Sequence, residues 1–182
     1  MNTYIVEKIK INKSNLKKVT ECTLFPKNRE ELVKMIKEEI EVNGNECSLN
    51  HIDVSEITDM SCLFNYSTFN GDISEWDVSN VENMDHMFCD AEEFTGENTN
   101  INDWDVSSVN NMRRMFWKSG FNQPLNNWDV SNVTNMGEMF YNAKFNQNIS
   151  NWKINTNCNT IRIFYNCPIE DKYKPSKDGK KL

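Results

Sequence analysis

The sequence predicts an α/β repeat solenoid, and three observations predict it. One pattern, clearest as Trp128-Asp129-Val130-Ser131-Asn132-Val133-Thr134-Asn135-Met136-Gly137-Glu138-Met139-Phe140, returns with starts at Ile52, Trp76, Trp104 and Trp152. Successive starts lie 24, 28, 24 and 24 residues apart, a period that marks one supersecondary unit per coil. Within each unit the apolar spacing changes from that of a strand to that of a helix. Each unit thus has an interior strip that it cannot cover alone, and stacking makes the strip continuous.

Residues 1–47 are expected to cap the first coil with a strand and a helix. Thr3 to Ile11 is β-branched and partly alternating, as an edge strand would be. Asn28-Arg29-Glu30-Glu31 reads as an N-cap with acidic residues in the first turn. It opens a helix through about Val42, with Leu32, Val33, Ile36 and Ile40 on one face and Gly44 ending it.

Residues 48–169 hold about five 24-residue units. Each begins as Leu49-x-x-Ile52-x-Val54, Ile73-x-x-Trp76-x-Val78, Ile101-x-x-Trp104-x-Val106, Leu125-x-x-Trp128-x-Val130 or Ile149-x-x-Trp152-x-Ile154, the spacing of a short strand with Trp and Val inward. Val133, Met136, Met139 and Phe140 then fall on one face of a short helix or a few 3₁₀ turns. Ser131 sits where an N-cap is needed, and Ser79 with Glu82 reads as a capping box. Phe-Asn pairs at 69–70, 121–122 and 145–146 return the chain to the next strand. The second unit carries four extra residues around Glu92–Asn100, expected to bulge as a loop between helix and strand. The fifth unit decays, with Lys153, Asn157 and Thr160 in place of Asp, Val and Met, and reads as the second cap. Residues 170–182 form a Lys-rich tail expected to be solvated and frayed.

The W-D-V-S-x-V-x-x-M-x-x-M-F pattern, together with its L-x-x-L-x-L spacing, resembles the BspA-like leucine-rich repeats of mycoplasma and other bacterial surface proteins. The resemblance covers residues 48–169 in register. It implies a leucine-rich-repeat-like, right-handed coil whose strands line one side of a horseshoe. It further implies a scaffold for protein interaction or adhesion, often at cell surfaces.

Composition narrows the function classes. Residues 51–169 carry six Lys/Arg against sixteen Asp/Glu, a body that repels nucleic acid and anionic lipid. The 29 Asn recur at fixed offsets, which argues for ordered turns and side-chain ladders over a disordered tract. Six Cys show neither a C-x-x-C pair nor a disulfide framework, and are expected to be buried thiols. With no apolar leader and no membrane-length run, the cytoplasm is the expected compartment, and a cell-surface or secreted location is the alternative.

Three features could carry function. Asp53, Asp77, Asp105 and Asp129 form an outward acidic row, with Glu75 and Asp103 in the column beside it. Parallel strands stack about 4.8 Å apart, so neighbouring carboxylates would repel by roughly 0.8 kcal/mol in water. Either each Asp is compensated by hydrogen bonds inside its own repeat, or the row meets a cationic partner; calcium is a weaker third reading. Trp117, Tyr141 and Tyr165, with Asn65 and Cys89 before them, form a column that is either core or an aromatic interface stripe. The Trp76, Trp104, Trp128 and Trp152 ladder reads as core. With only His51 and His86, in different units and offsets, no catalytic constellation, metal site or cofactor motif is found. The expected function is a non-enzymatic protein-interaction module that offers its acidic face and inserted loop to a partner with a basic patch. The alternatives are a BspA-type adhesin and a glycan- or calcium-binding module.

Overall fold

The computed structural model describes residues 20–182. The edge strand expected over residues 3–11 lies outside the described residues. Helix α1 runs Arg29–Asn43. Asn28 caps it, its Oδ1 accepting the Glu31 N–H at 3.0 Å, and Gly44, at φ +84°, ends it. Leu32 and Ile36 are buried against the first coil, and the Arg29 Nε donates to the Ser61 carbonyl at 2.7 Å. The helix therefore covers the apolar end of the stack and satisfies one of its terminal carbonyls, as a solenoid cap must.

The repeats form a solenoid whose coils meet in parallel register. Bridges run Asp59 to Asn83, Asn83 to Asn111, Asn111 to Asn135 and Asn135 to Asn159. Neither the strand nor the helix expected in each unit is present, so the α/β description is corrected. Beyond α1 the described residues contain two short 3₁₀ turns, Ile101–Asp103 and Asp171–Tyr173, and one hairpin, β1 Ser176–Lys177 with β2 Lys180–Lys181.

Each coil is instead a chain of β-turns. In the fourth coil the N–H groups of Trp128, Val133, Met139 and Ala143 return to the carbonyls of Leu125, Val130, Met136 and Phe140, three residues back. The Met-x-x-Met-Phe stretch holds two of these turns. Their third residues are left-handed in every coil: Cys62 and Tyr66, His86 and Asp90, Arg114 and Lys118, Glu138 and Asn142, Arg162 and Asn166. A positive φ at that position alone defines a type II turn. Successive turns return side chains to the same face every three or four residues, as a helix does, so the apolar spacing fits both. The destination of the remaining N–H groups separates them. Met60, Cys62, Phe64 and Tyr66 donate to Asn83, Asp85, Met87 and Cys89 of the next coil, at 2.8 to 2.9 Å.

The core is a set of aromatic columns along the axis. Phe64, Phe88, Phe116, Phe140 and Phe164 stack with centroids 5.4, 5.5, 5.5 and 5.8 Å apart. Phe69, Phe94, Phe121 and Phe145 pack beside them, at 4.7, 4.2, 4.7 and 4.2 Å from the first column. The Trp ladder faces inward as expected, and each indole N–H donates to the preceding coil: Trp76 to Leu49, Trp104 to Ile73, Trp128 to Ile101 and Trp152 to Leu125, at 2.8 to 3.2 Å. Asn order takes the form of a side-chain ladder. Asn83 Nδ2 donates to Asp59 Oδ1, Asn111 to Asn83 and Asn159 to Asn135, at 3.0, 3.1 and 3.2 Å.

Two expectations about the ends are also corrected. Cys158, buried, fills the place that Val133 fills one coil earlier, so the fifth coil keeps its core through a turn shifted by one residue. The Lys-rich tail is docked: Ser176 bridges Lys153 in parallel, the Lys177 Nζ donates to the Cys158 carbonyl at 2.6 Å, and Ile149 N–H donates to Tyr173.

Candidate functional site

The acidic row is built into the turns. The Oδ1 atoms of Asp53, Asp77, Asp105 and Asp129 accept the N–H of the Ser two residues on, at 3.0, 3.3, 3.1 and 3.0 Å. These are Asx-turns, which relieve the carboxylates locally. Ser79 and Ser107 also donate their hydroxyls to Asp77 and Asp105, at 2.7 and 2.6 Å. The capping box expected at Ser79 and Glu82 is therefore replaced by an Asp acceptor with Ser as donor. The hydroxyl of Ser131 and then its N–H hold the Asp129 carboxyl below its usual range. Asp105 and Asp129 are exposed, and neither takes part in an ion pair among the described residues. Asp105 and Asp129 thus keep their charge at the surface, while in all four one carboxylate oxygen holds the backbone.

Glu75 and Asp103 are engaged differently. Glu75 accepts the Thr20 N–H at 3.1 Å, and its own N–H donates to Asn50. Asp103 accepts from Asn100 at 2.8 Å and from Asn127 of the next coil at 3.3 Å. The inserted segment does not bulge as one loop. One extra residue precedes Phe94, which stays in the aromatic column, and three follow it. Thr99 turns back into the stack, where its buried hydroxyl accepts the Ile73 N–H at 3.1 Å, and Asn98 donates to the Asn70 carbonyl at 2.7 Å. Glu92, Glu93 and Glu97 remain exposed and add to the acidic surface.

Trp117 and Tyr141 form a half-buried aromatic column on the flank. Their centroids are 6.0 Å apart, and Tyr165, more than half exposed, stacks on Tyr141 at 4.8 Å. The Lys118 Nζ lies 4.3 Å from the Trp117 ring centroid. The acidic row and this column sit on different stretches of each coil, so the sequence-derived residues do not converge on one site.

Sequence reasoning missed the columns made by the left-handed turn residues. Arg114 pairs with Glu138 at 2.5 Å, Glu138 reaches Arg162 at 4.0 Å, Lys118 pairs with Asp90 at 3.6 Å, and Asn166 donates to Asn142 at 2.7 Å. A period-24 alignment of charges alone would have revealed this alternation, because residues 114, 138 and 162 share one offset. Burial pushes the Cys89 thiol up to about 12, with Asp90 adding to the rise, and Cys158 is also buried and raised. Cys62 is exposed, so the cysteines are not uniformly buried as expected. Among the described residues no group of His, Cys, Asp and Glu is arranged to hold a metal ion.

Residues 30–120 and 95–173 match the family described as "Mycoplasma protein of unknown function, DUF285". The chain belongs to that family. The two matches run in tandem across the solenoid, which agrees with the BspA-like repeat resemblance. No curated protein and no solved structure shows a significant match. The DUF285 assignment carries a repeat architecture and no activity. Among the described residues of this DUF285 protein, no helix is long and apolar enough to cross a membrane.

Proposed function

We propose that this DUF285 protein is a non-enzymatic protein-interaction scaffold that presents its acidic row to a basic patch on a protein partner. The observation that supports this reading is that Asp105 and Asp129 are exposed and held in place by their own Asx-turns, with no ion pair to either among the described residues, although Lys153 of the next coil lies within electrostatic reach of Asp129. A row held this way is preorganised, so a partner meets fixed charges without an ordering cost. Glu92, Glu93 and Glu97 of the inserted segment extend the same negative field, which favours fast, salt-sensitive association. We also retain the leucine-rich-repeat-like, right-handed sense of the coil, as the resemblance to BspA-like repeats implies.

The test replaces Asp77, Asp105 and Asp129 together by Asn. Asparagine keeps an Oδ1 to accept the Ser N–H, so the turns stay closed while the charge is lost. A partner captured from host lysate by the wild-type chain at low salt should be released as salt rises and should not be retained by the triple variant. Equal recovery by both chains would remove the acidic row from the function.

A further inference from the structure

Along the two chained turns of each coil the alternate N–H groups donate to the next coil, while the flanking residues, such as Asn111 to Glu82 and Gly120 to Ala91, donate back to the preceding one. Residues 60, 62, 64 and 66 donate N–H to the second coil, and 84, 86, 88 and 90 donate to the third. Residues 112, 114, 116 and 118 donate to the fourth, and 136, 138, 140 and 142 to the fifth. The equivalent groups of the fifth coil, on Thr160, Arg162, Phe164 and Asn166, have no acceptor among the described residues. The carbonyls of Thr160, Arg162 and Phe164 are turned inward, accepting from Ile163, Tyr165 and Cys167. This edge therefore offers donors at alternate residues along one stretch.

Three further observations describe what would fit there. Beside this stretch the chain already uses the fifth coil as a template, since Ser176 pairs with Lys153 in parallel. Residues 151–182 carry seven Lys/Arg against three Asp/Glu, a basic end on an acidic body. The aromatic columns end here with Phe164 half-buried, and Ile161 and Tyr165 are 68% and 56% exposed. A second copy does not answer this geometry. Its own fifth coil would set donor against donor, and its first coil is covered by α1, with Ser61 already accepting from Arg29.

We infer that the open edge of the fifth coil, at Thr160, Arg162, Phe164 and Asn166, is a docking site for an acidic segment of a protein partner that folds into the same chained turns. The segment adds as a sixth rung, parallel to the fifth, and gives four carbonyl oxygens to the four N–H groups. Its acidic side chains face Arg162, and an apolar side chain covers Phe164. This site is separate from the acidic row, and either can fail without the other.

The probe is a synthetic peptide copying residues 133–146, whose carbonyls at Asn135, Gly137, Met139 and Tyr141 accept from the third coil in the intact chain. It is made with flanking glutamates and, separately, with flanking lysines. In the protein alone, amide exchange at residues 160, 162, 164 and 166 should be at least about 100-fold faster than at 136, 138, 140 and 142, the latter being hydrogen-bonded between coils. The glutamate-flanked peptide should slow those four amides about tenfold or more, and the lysine-flanked peptide should bind about tenfold more weakly. Arg162→Glu should reverse the preference between the two peptides, and it leaves the backbone donors in place, unlike Phe164→Pro. The inference is overturned if saturating peptide leaves the four amides unprotected, or if they become protected in the protein alone as its concentration rises.

Discussion

The side-chain amide of Asn111 donates to Oδ1 of Asn83 across 3.1 Å, and that same oxygen receives the N–H of Asp85 at 3.1 Å. One atom thus closes a turn within its coil and ties that coil to the next. Asp59 opens the column, where only acceptors are needed, since among the described residues no earlier side chain awaits its donation. Asparagine is the residue that can both give and receive at this position in the later coils.

Asn111→Asp retains the acceptor for the Arg113 N–H and loses the donor to Asn83. It should lower stability by about 1 kcal/mol, and Asn111→Ala, which strands the Arg113 N–H as well, by about 2 kcal/mol. Urea unfolding of the three chains checks the order. Equal midpoints would mean that the ladder contributes nothing beyond the backbone bonds.

Trp128 is buried, and its Nε1 donates to the Ile101 carbonyl at 2.8 Å. Trp128→Phe leaves that carbonyl without its partner and opens space beside Phe116. The expected loss is about 2 to 3 kcal/mol, seen as a lower melting temperature. A loss below about 0.5 kcal/mol would show that the indole acts through its apolar surface alone.

Tyr66 is 75% exposed and holds φ at 56°, so it carries left-handed strain without burial to offset it. Tyr66→Gly should raise stability by about 1 kcal/mol, and Tyr66→Val should lower it, because a β-branched side chain fits that region worst. Paired denaturation curves decide it; a destabilised Gly variant would refute the strain account.

Asp129 is held below the usual carboxylate range by the Ser131 hydroxyl and N–H, so its folded-state pKa lies under its unfolded one. Its contribution to stability is complete above the unfolded value and is lost as pH falls through the folded one. Asp129→Asn should therefore flatten part of the acid limb by lowering stability in the neutral region, with the two chains converging at low pH, where Asp129 is protonated. Carboxyl NMR titration of the folded chain provides the direct check. An Asp129 that titrates at or above the ordinary value would sink the assignment.

Much of the architecture was legible because repetition multiplies weak signals. The spacing of Ile52, Trp76, Trp104, Trp128 and Trp152 gave the period, and alternation placed the indoles inside, where they are found. The short helix or few 3₁₀ turns expected over Val133, Met136, Met139 and Phe140 give way to chained β-turns, which keep hydrogen bonds three residues apart and bury the same offsets. The acidic row was readable as a row, but its Asx-turns depend on which N–H each carboxylate meets. Helix α1 was readable from Asn28 to Gly44 because its cap and stop signals are local.

By itself the sequence determined the number of coils, their register, the residues that line the interior and the helix that closes the first end. Each of these depends on which side chains repeat at which offset, and apolar side chains at equivalent offsets stack whatever the backbone does between them. Three-dimensional packing was needed to show that the backbone is turned instead of helical, that alternate N–H groups of the chained turns donate to the following coil, and that those of the fifth coil are left exposed. The reason is that an N–H group can be satisfied within its own segment or across a coil interface, and that choice depends on a neighbour 24 or 28 residues away.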